Sequence, residues 1–235
     1  MSELDLWARD RVPDCATELV SVMEGGFRSA PYNDGYGYWT QGFGARTGIN
    51  GKPVTRDTAP ITRAQGEFML QRDLGRAASL VMKAIDVPLA NCQAAALIVL
   101  AFNLGDLDVQ AQSLVKLVND GLHQRAADRF QVYRNSAGKP STGLRRRRWV
   151  EACFYLGEDA RLSYQRAWSE IRTPDGWPVL PENRVPALAR PQQITTPLRV
   201  VASATASATS TRQPAAALSE ADRLNDAQLA RLKST

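Results

Sequence analysis

Cysteine and histidine are scarce in this chain: three of the first and one of the second in 235 residues. Cys15, Cys92 and Cys153 lie far apart without a CxxC pair. An odd, scattered set supports neither a disulfide framework nor a thiolate metal site, so these residues read as buried free thiols. A lone His123 excludes multi-histidine metal centres and argues against a Ser/His/Asp triad. Long apolar runs are also missing. The longest, Ala94 to Phe102, covers nine residues, well short of the roughly 20 that cross a bilayer. The first residues, MSELDLWARDRVPDC, have neither the basic segment nor the apolar segment of a secretory signal. The expectation is a soluble protein that starts in the cytoplasm and makes no stable membrane insertion.

What is present is enough apolar material for a core, 44% of residues, and a net charge of +5. That balance suits an anionic partner such as nucleic acid, a membrane surface or an acidic cell envelope.

The apolar periodicity predicts a helix over 14–24, capped by Asp14 and stopped by Gly25-Gly26. Residues 30–55 mix Tyr, Trp, Thr and Phe with glycine and the turn signals Asn33-Asp34-Gly35 and Asn50-Gly51, which read as a small antiparallel sheet. Thr62-Arg63-Ala64-Gln65 has capping-box form and opens a helix that Pro88 stops. Asn91 should cap a central helix, apolar nearly all round, that Gly105 closes. Shorter helices fit 113–120, 122–134, 143–156 (capped by Thr142) and 158–171. After Arg172 the chain turns Pro-rich, and 202–211 (ASATASATST) contains only Ala, Ser and Thr. The expected layout is an α+β domain over 1–171, a flexible linker over 172–217 and a short amphipathic tail over 218–235.

Chemistry gathers in residues 24–44, EGGFRSAPYNDGYGYWTQGFG. Glu24 ends a helix beside Val20 and Met23. Partial desolvation and the negative helix end should both favour its protonated form, as a general acid requires. Asp34, in a polar glycine-flanked turn, should stay ionised. Two carboxyls kept in opposite protonation states are what glycoside hydrolysis needs. The plainer reading of each, a helix-end acid and an Asn-Asp-Gly turn, accounts for the same residues separately.

The order of motifs decides between them. The 24–44 segment, then VPLANCQAAALIVLAFNLG (87–105), QSLVKLVNDG (112–121), AADRF (126–130) and GLRRRRWVEACFYLG (143–157), resembles the phage-type lysozymes of glycoside hydrolase family 24. The resemblance covers roughly residues 14–157. It implies a lysozyme-like α+β fold, with a small antiparallel-sheet lobe and a larger helical lobe flanking a cleft. It implies a cofactor-free muramidase acting on bacterial peptidoglycan, an endolysin. Glu24 takes the place of the catalytic acid, and Asp34 and Thr40 that of the pair that positions the attacking water. Tyr36, Gly42, Asn103 and Arg145 take substrate-side positions. In the family pattern Arg145 lies near the acid and Arg148 makes a structural ion pair. Asn103 could equally be a capping amide. Tyr36 and Tyr38 are candidates to stack on sugars, with Trp39 assigned to packing.

Two departures stand out. Glu24 and Asp34 are separated by one residue more than is usual, with the insertion near Gly26 or Pro31. Ala45 stands where relatives carry histidine. The run Arg145–Arg148 could also signal nucleic-acid binding, but consecutive helix positions point in every direction and form no stripe, so no nucleic-acid partner is expected. The resemblance further implies an enzyme released from the host cytoplasm to the wall when a holin opens the membrane, or one carried in the virion; a monomer is expected, and the tail's imperfect apolar stripe should order only on a partner, a virion protein or an envelope surface. The rival readings are a lytic transglycosylase, which needs the acid but not the Asp/Thr pair, and a non-catalytic wall-binding or virion structural protein.

Overall fold

A computed structural model of the chain describes residues 6–186, apart from 10, 25, 35, 36 and 137. Its helical body is built on α3 (Asn91–Leu104), whose residues from Gln93 to Ala101 are all buried. Ala94-Ala95-Ala96 lets neighbours approach closely, while Leu97, Ile98 and Leu100 fill space on different sides. Helices α1 (Asp14–Met23), α2 (Arg63–Ala84) and α7 (Thr142–Tyr155) pack on it. Between α3 and α7 run α4 (Leu107–Gln110), α5 (Gln112–Asn119), α6 (His123–Arg129) and a 3-10 turn, Phe130–Val132. The last helix, α8 (Ala160–Glu170), lies against α7 and α1.

Helix starts follow the caps, sometimes one residue from where the sequence places them. The capping box at Thr62 is formed, with both Thr62 and Gln65 side chains engaged. Asn91 is instead the first helical residue, and the Gln93 side chain accepts from Ala90 N–H. Ser141, not Thr142, caps α7, because its hydroxyl reaches Leu144 N–H. At α1 the cap position is Pro13 and Asp14 opens the first turn. Three elements had no clear sequence signal, the four-residue α4 and the paired strands β3 (Asn135–Ser136) and β4 (Lys139–Pro140).

The small lobe pairs β1 (Arg28–Asn33) with β2 (Trp39–Gly42), antiparallel, and extends through single bridges Gln41–Ala45 and Thr47–Pro53. Tyr32 faces Thr40 and Asn33 faces Trp39, but the register shifts between Arg28 and Tyr32. That stretch holds Pro31. A bulge of this kind takes up an extra residue within one strand. The lobe docks on α2 by backbone contact: a side chain on Gly42 would meet the Gly66 Cα at 3.4 Å, and one on Gly66 would strike the Phe27 ring at 2.6 Å. Gly42 is therefore a packing residue, buried away from the cleft, not the sugar contact expected of it.

The expected boundary at 171 is corrected. Residues 172–186 run back over the body as a strap without regular structure. Proline denies it sheet or helix pairing, yet its carbonyls serve as acceptors for the body. Trp149, fully buried, donates its indole N–H to the Pro178 carbonyl at 3.0 Å, and Gln124 donates to that of Pro181. Arg184 N–H reaches the Leu156 carbonyl, while Trp177, Leu180 and Val185 cover apolar surface. Asp175 joins two buried arginines, its carboxylate 3.0 Å from Arg134 and its carbonyl 3.0 Å from Arg145. The remainder of the expected linker and the amphipathic tail lie outside the described residues. No described helix is long and apolar enough to cross a membrane.

Ending the chain after Arg172 should therefore destabilise the body. Orphaning the Trp149 N–H costs about 1–3 kcal/mol, and re-exposing one large apolar side chain costs about 1.5–3 kcal/mol more. The melting temperature should fall by roughly 5–24 °C, while a chain ending after Pro186 keeps every contact named above. Equal melting temperatures for the two truncations would contradict the role given to the strap.

Candidate active site

A cleft of about 1310 Å³ separates the lobes, and Glu24, Asp34, Thr40 and Asn103 all line it. Each comes from a different piece of local structure. Glu24 is the C-terminal cap of α1, its N–H on the Val20 carbonyl. Asp34 leaves β1 at the turn, Thr40 sits in β2, and Asn103 occupies the last turn of α3.

The surroundings of Glu24 differ from the apolar edge expected from sequence. Its Oε1 accepts from an Arg147 N–H at 2.6 Å, and its side chain is only 21% exposed. Its Oε2 points toward Gly44, where an added Cβ would lie 3.3 Å away. Gly44 has φ +85°, a left-handed conformation that glycine adopts without strain. Glycine thus lets the strand turn approach the acid and leaves Oε2 clear of side chain.

Arg147 is itself held on the other side by Glu151, at 3.2 Å, and Glu151 by Arg148, at 3.0 Å. Glu151 and Arg148 have no exposed surface. Arg148 also donates to the Asn103 side-chain oxygen at 2.9 Å. A chain of charges on α7 therefore ties the acid on α1 to the amide on α3. Burial works against the charge on Arg147, but Glu24 and Glu151 outweigh it and raise its pKa above the ordinary arginine value. Burial pulls Arg148 down to about 10, opposed by Glu151. Burial likewise raises the pKa of Glu151, against the pull of both arginines.

Arg145 is the clearest correction. It has no exposed surface, donates to the carbonyls of Gln131 and Asp175, and lies 5.1 Å from the Trp177 ring centroid. Burial, with repulsion from Arg134, lowers it to about 10 despite Asp175. The arginine beside the acid is Arg147, two positions on. The structural ion pair expected of Arg148 is present. Arg146 caps the end of α8 through the Ile171 carbonyl and lies over Trp168. All four arginines of the run are spent inside the fold, which leaves no exposed basic stripe.

On the opposite wall the Asp34 turn closes on itself: Asp34 N–H reaches the Tyr38 carbonyl, and Tyr38 N–H reaches Asp34 Oδ1 at 3.1 Å. Thr40 is 3% exposed and donates its hydroxyl to the Tyr32 carbonyl at 3.4 Å. Tyr38 is 52% exposed, Trp39 is half-buried, and Tyr36 lies outside the described residues. Asn103 is not a helix cap, since its oxygen serves Arg148. Among the described residues, no group of three His, Cys, Asp or Glu could hold a metal ion. Cys15, Cys92 and Cys153 take part in no disulfide, with Cys153 buried and the others half-buried.

Replacing Arg147 by methionine should cost about 3–5 kcal/mol, because it strands buried Glu151 with one partner fewer. Glu151→Gln in the same background should recover part of that loss in chemical denaturation. A mild effect of the single change would show that Arg147 is not structurally coupled to Glu151.

The phage lysozyme family model matches residues 23–151. The endolysin of Acyrthosiphon pisum secondary endosymbiont phage 1 is 30% identical over 141 residues, 58% of this chain and 92% of that protein. The endolysin of Salmonella phage P22 is 30% identical over 131 residues, 56% of this chain and 89% of that one. Among solved structures, an endolysin from Escherichia coli O157:H7 phage FAHEc1 superposes with a TM-score of 0.57 at 30% identity, over 63% of this chain and 94% of that chain. A P22 lysozyme mutant gives 0.54 at 26% identity, over 63% and 99%. The matched segment begins one residue before Glu24 and ends at Glu151, so it spans the charge chain from end to end, and the chain belongs to the phage lysozyme family.

Proposed function

We propose that this chain is an endolysin that hydrolyses the β-1,4 bond between N-acetylmuramic acid and N-acetylglucosamine, with Glu24 as acid and Asp34 and Thr40 as the water-orienting pair. The observation that carries the reading is the arrangement of the cleft. One carboxyl stands on the helical wall with an oxygen left clear, and a second stands on the sheet wall beside a hydroxyl. The net charge of +5 draws the protein to a polyanionic envelope.

Each group has a task that its contacts permit. Arg147 occupies Oε1 of Glu24, so the transferable proton belongs on Oε2, toward the open side at Gly44. That proton passes to the glycosidic oxygen as the bond to the anomeric carbon breaks. Arg147 then stabilises the carboxylate that is left. Thr40 spends its only hydroxyl proton on the Tyr32 carbonyl, which leaves its lone pairs to accept from water. A water that donates to Thr40 and to Asp34 turns its own lone pair outward, to the anomeric carbon. Asp34 takes a proton from it as the new bond forms and gives it up to solvent, and solvent returns a proton to Glu24. Attack on the face opposite the leaving group inverts the anomeric carbon.

The protein works as a monomer and reaches the wall once the host membrane has been opened. A lytic transglycosylase would use Glu24 without a water and release 1,6-anhydro sugars. An inert wall-binding protein would cut nothing.

Glu24→Gln should keep the melting temperature within a few degrees and lower clearance of permeabilised cells by at least 100-fold, in the range of general acid catalysis, about 10²–10⁴-fold. Clearance at a tenth of the parent rate would remove Glu24 from the role. NMR of early products from soluble glycan fragments should show reducing ends of inverted configuration. Retention would assign Asp34 as a nucleophile, and anhydro products would assign a transglycosylase.

A further inference from the structure

Asp34 is attached to a turn, and a turn is a loose place to hold a water-orienting carboxylate. Arg46 braces that turn from outside it. Its guanidinium lies 3.3 Å from Asp34 Oδ2 and 3.8 Å from the Tyr38 ring centroid. Tyr38 N–H holds the other oxygen of the same carboxylate. One cation therefore grips both ends of the Asp34–Tyr38 turn, by charge at one end and by the ring face at the other. Its own backbone is fixed: Ala45 and Gln41 exchange both backbone hydrogen bonds just before it, and Val54 N–H donates to its carbonyl. The bolt is anchored in the second half of the lobe and closes on the first.

We propose that Arg46 is a positioning residue for catalysis, which fixes the carboxylate of Asp34 in the orientation that receives the water. The proposal rests on the reading of Asp34 given above. It also explains how the chain dispenses with a polar side chain at Ala45, which is 6% exposed and packs with Ile61 and Met69. The next residue provides the polar anchor from the same hairpin. Other charged groups line the cleft as well: Arg28 from β1, Asp73 and Arg76 from α2, and Glu24 and Arg147 across the gap. Arg28 lies over the Tyr32 ring, and Asp73 is engaged by Arg72 and Arg76.

The test uses Arg46→Ala, Arg46→Lys and Tyr38→Ala in the full chain. It measures kcat and KM on soluble peptidoglycan fragments across pH, with ¹³C NMR titration of the Asp34 carboxyl. Losing the adjacent cation favours the neutral acid, so the Asp34 midpoint should rise in Arg46→Ala. The acidic limb of the rate profile should rise with it. The kcat should fall about 10- to 100-fold, as for a misplaced reacting group, with KM within twofold. Arg46→Lys should restore the midpoint and only part of kcat, since an ammonium cannot bridge carboxylate and ring alike. Tyr38→Ala should lower kcat with a smaller midpoint shift. In an Asp34→Asn background, Arg46→Ala should cost nothing further. An unmoved midpoint, an equal loss in the Asp34→Asn background, or a raised KM with kcat intact would overturn the proposal, the last by assigning Arg46 to a substrate carboxylate. If the parent cleaves no glycan, the functional reading fails by itself, and the NMR titration still decides whether Arg46 controls Asp34.

Discussion

The buried charges of α7 constrain everything near the cleft. Glu151 has no exposed surface and can remain ionised only with Arg147 and Arg148 on either side. Those arginines are in turn fixed by what lies beyond them, Glu24 on α1 and Asn103 on α3. Three helices are thereby set in one relative position by interactions that tolerate little error in distance. An apolar interface would hold them as strongly but less exactly in register, because apolar contact has no direction. The acid inherits this fixity, since one of its oxygens is the terminal member of the chain.

The sheet wall achieves the same end with an exposed cation and ring around a half-buried carboxylate. The Asp34 turn, the Arg46 guanidinium and the Tyr38 ring form a small closed unit, carried on a lobe whose attachment to α2 runs through two glycines, Gly42 and Gly66. Backbone meets backbone there, so the lobe has little freedom to rock without striking the Phe27 ring. The two walls are thus prepared separately and brought face to face by α2 and the strand pair. Behind them the strap from Arg172 to Pro186 closes the far side of α7. It gives acceptors to Trp149 and a counter-charge to Arg134 and Arg145. Arginine on α7 thus does two jobs on two faces: Arg147 and Arg148 serve the cleft, while Arg145 serves the strap.

Much of this could be read in the residues themselves. Periodicity located the long helices, the capping box at Thr62 was legible, and aromatic residues mixed with glycine marked the small lobe. The acid, the turn carboxylate and the strand hydroxyl were visible as a motif, and they do line one cleft. The assignment within the arginine run failed for a simple reason. Four identical side chains on consecutive helix positions carry no sequence signal of which one faces the acid; only the rotation of α7 against α3 settles it. Gly42 and Gly44 are ambiguous in the same way, since a glycine's lack of side chain serves packing and a cleft alike. The strap was misread because proline-rich composition was equated with solvation. Trp177, Leu180 and Val185 spaced through it were the available signal, and their apolar area outweighs the absence of regular hydrogen bonding.

A crystal structure with an N-acetylglucosamine oligomer spanning the cleft tests the central claim most directly. Glu24 Oε2 should lie about 3 Å from a glycosidic oxygen, with an ordered water between Asp34, Thr40 and the opposite face of that sugar. A glycan whose bridging oxygen faces neither carboxyl, or an anomeric carbon in direct contact with Asp34, would contradict it.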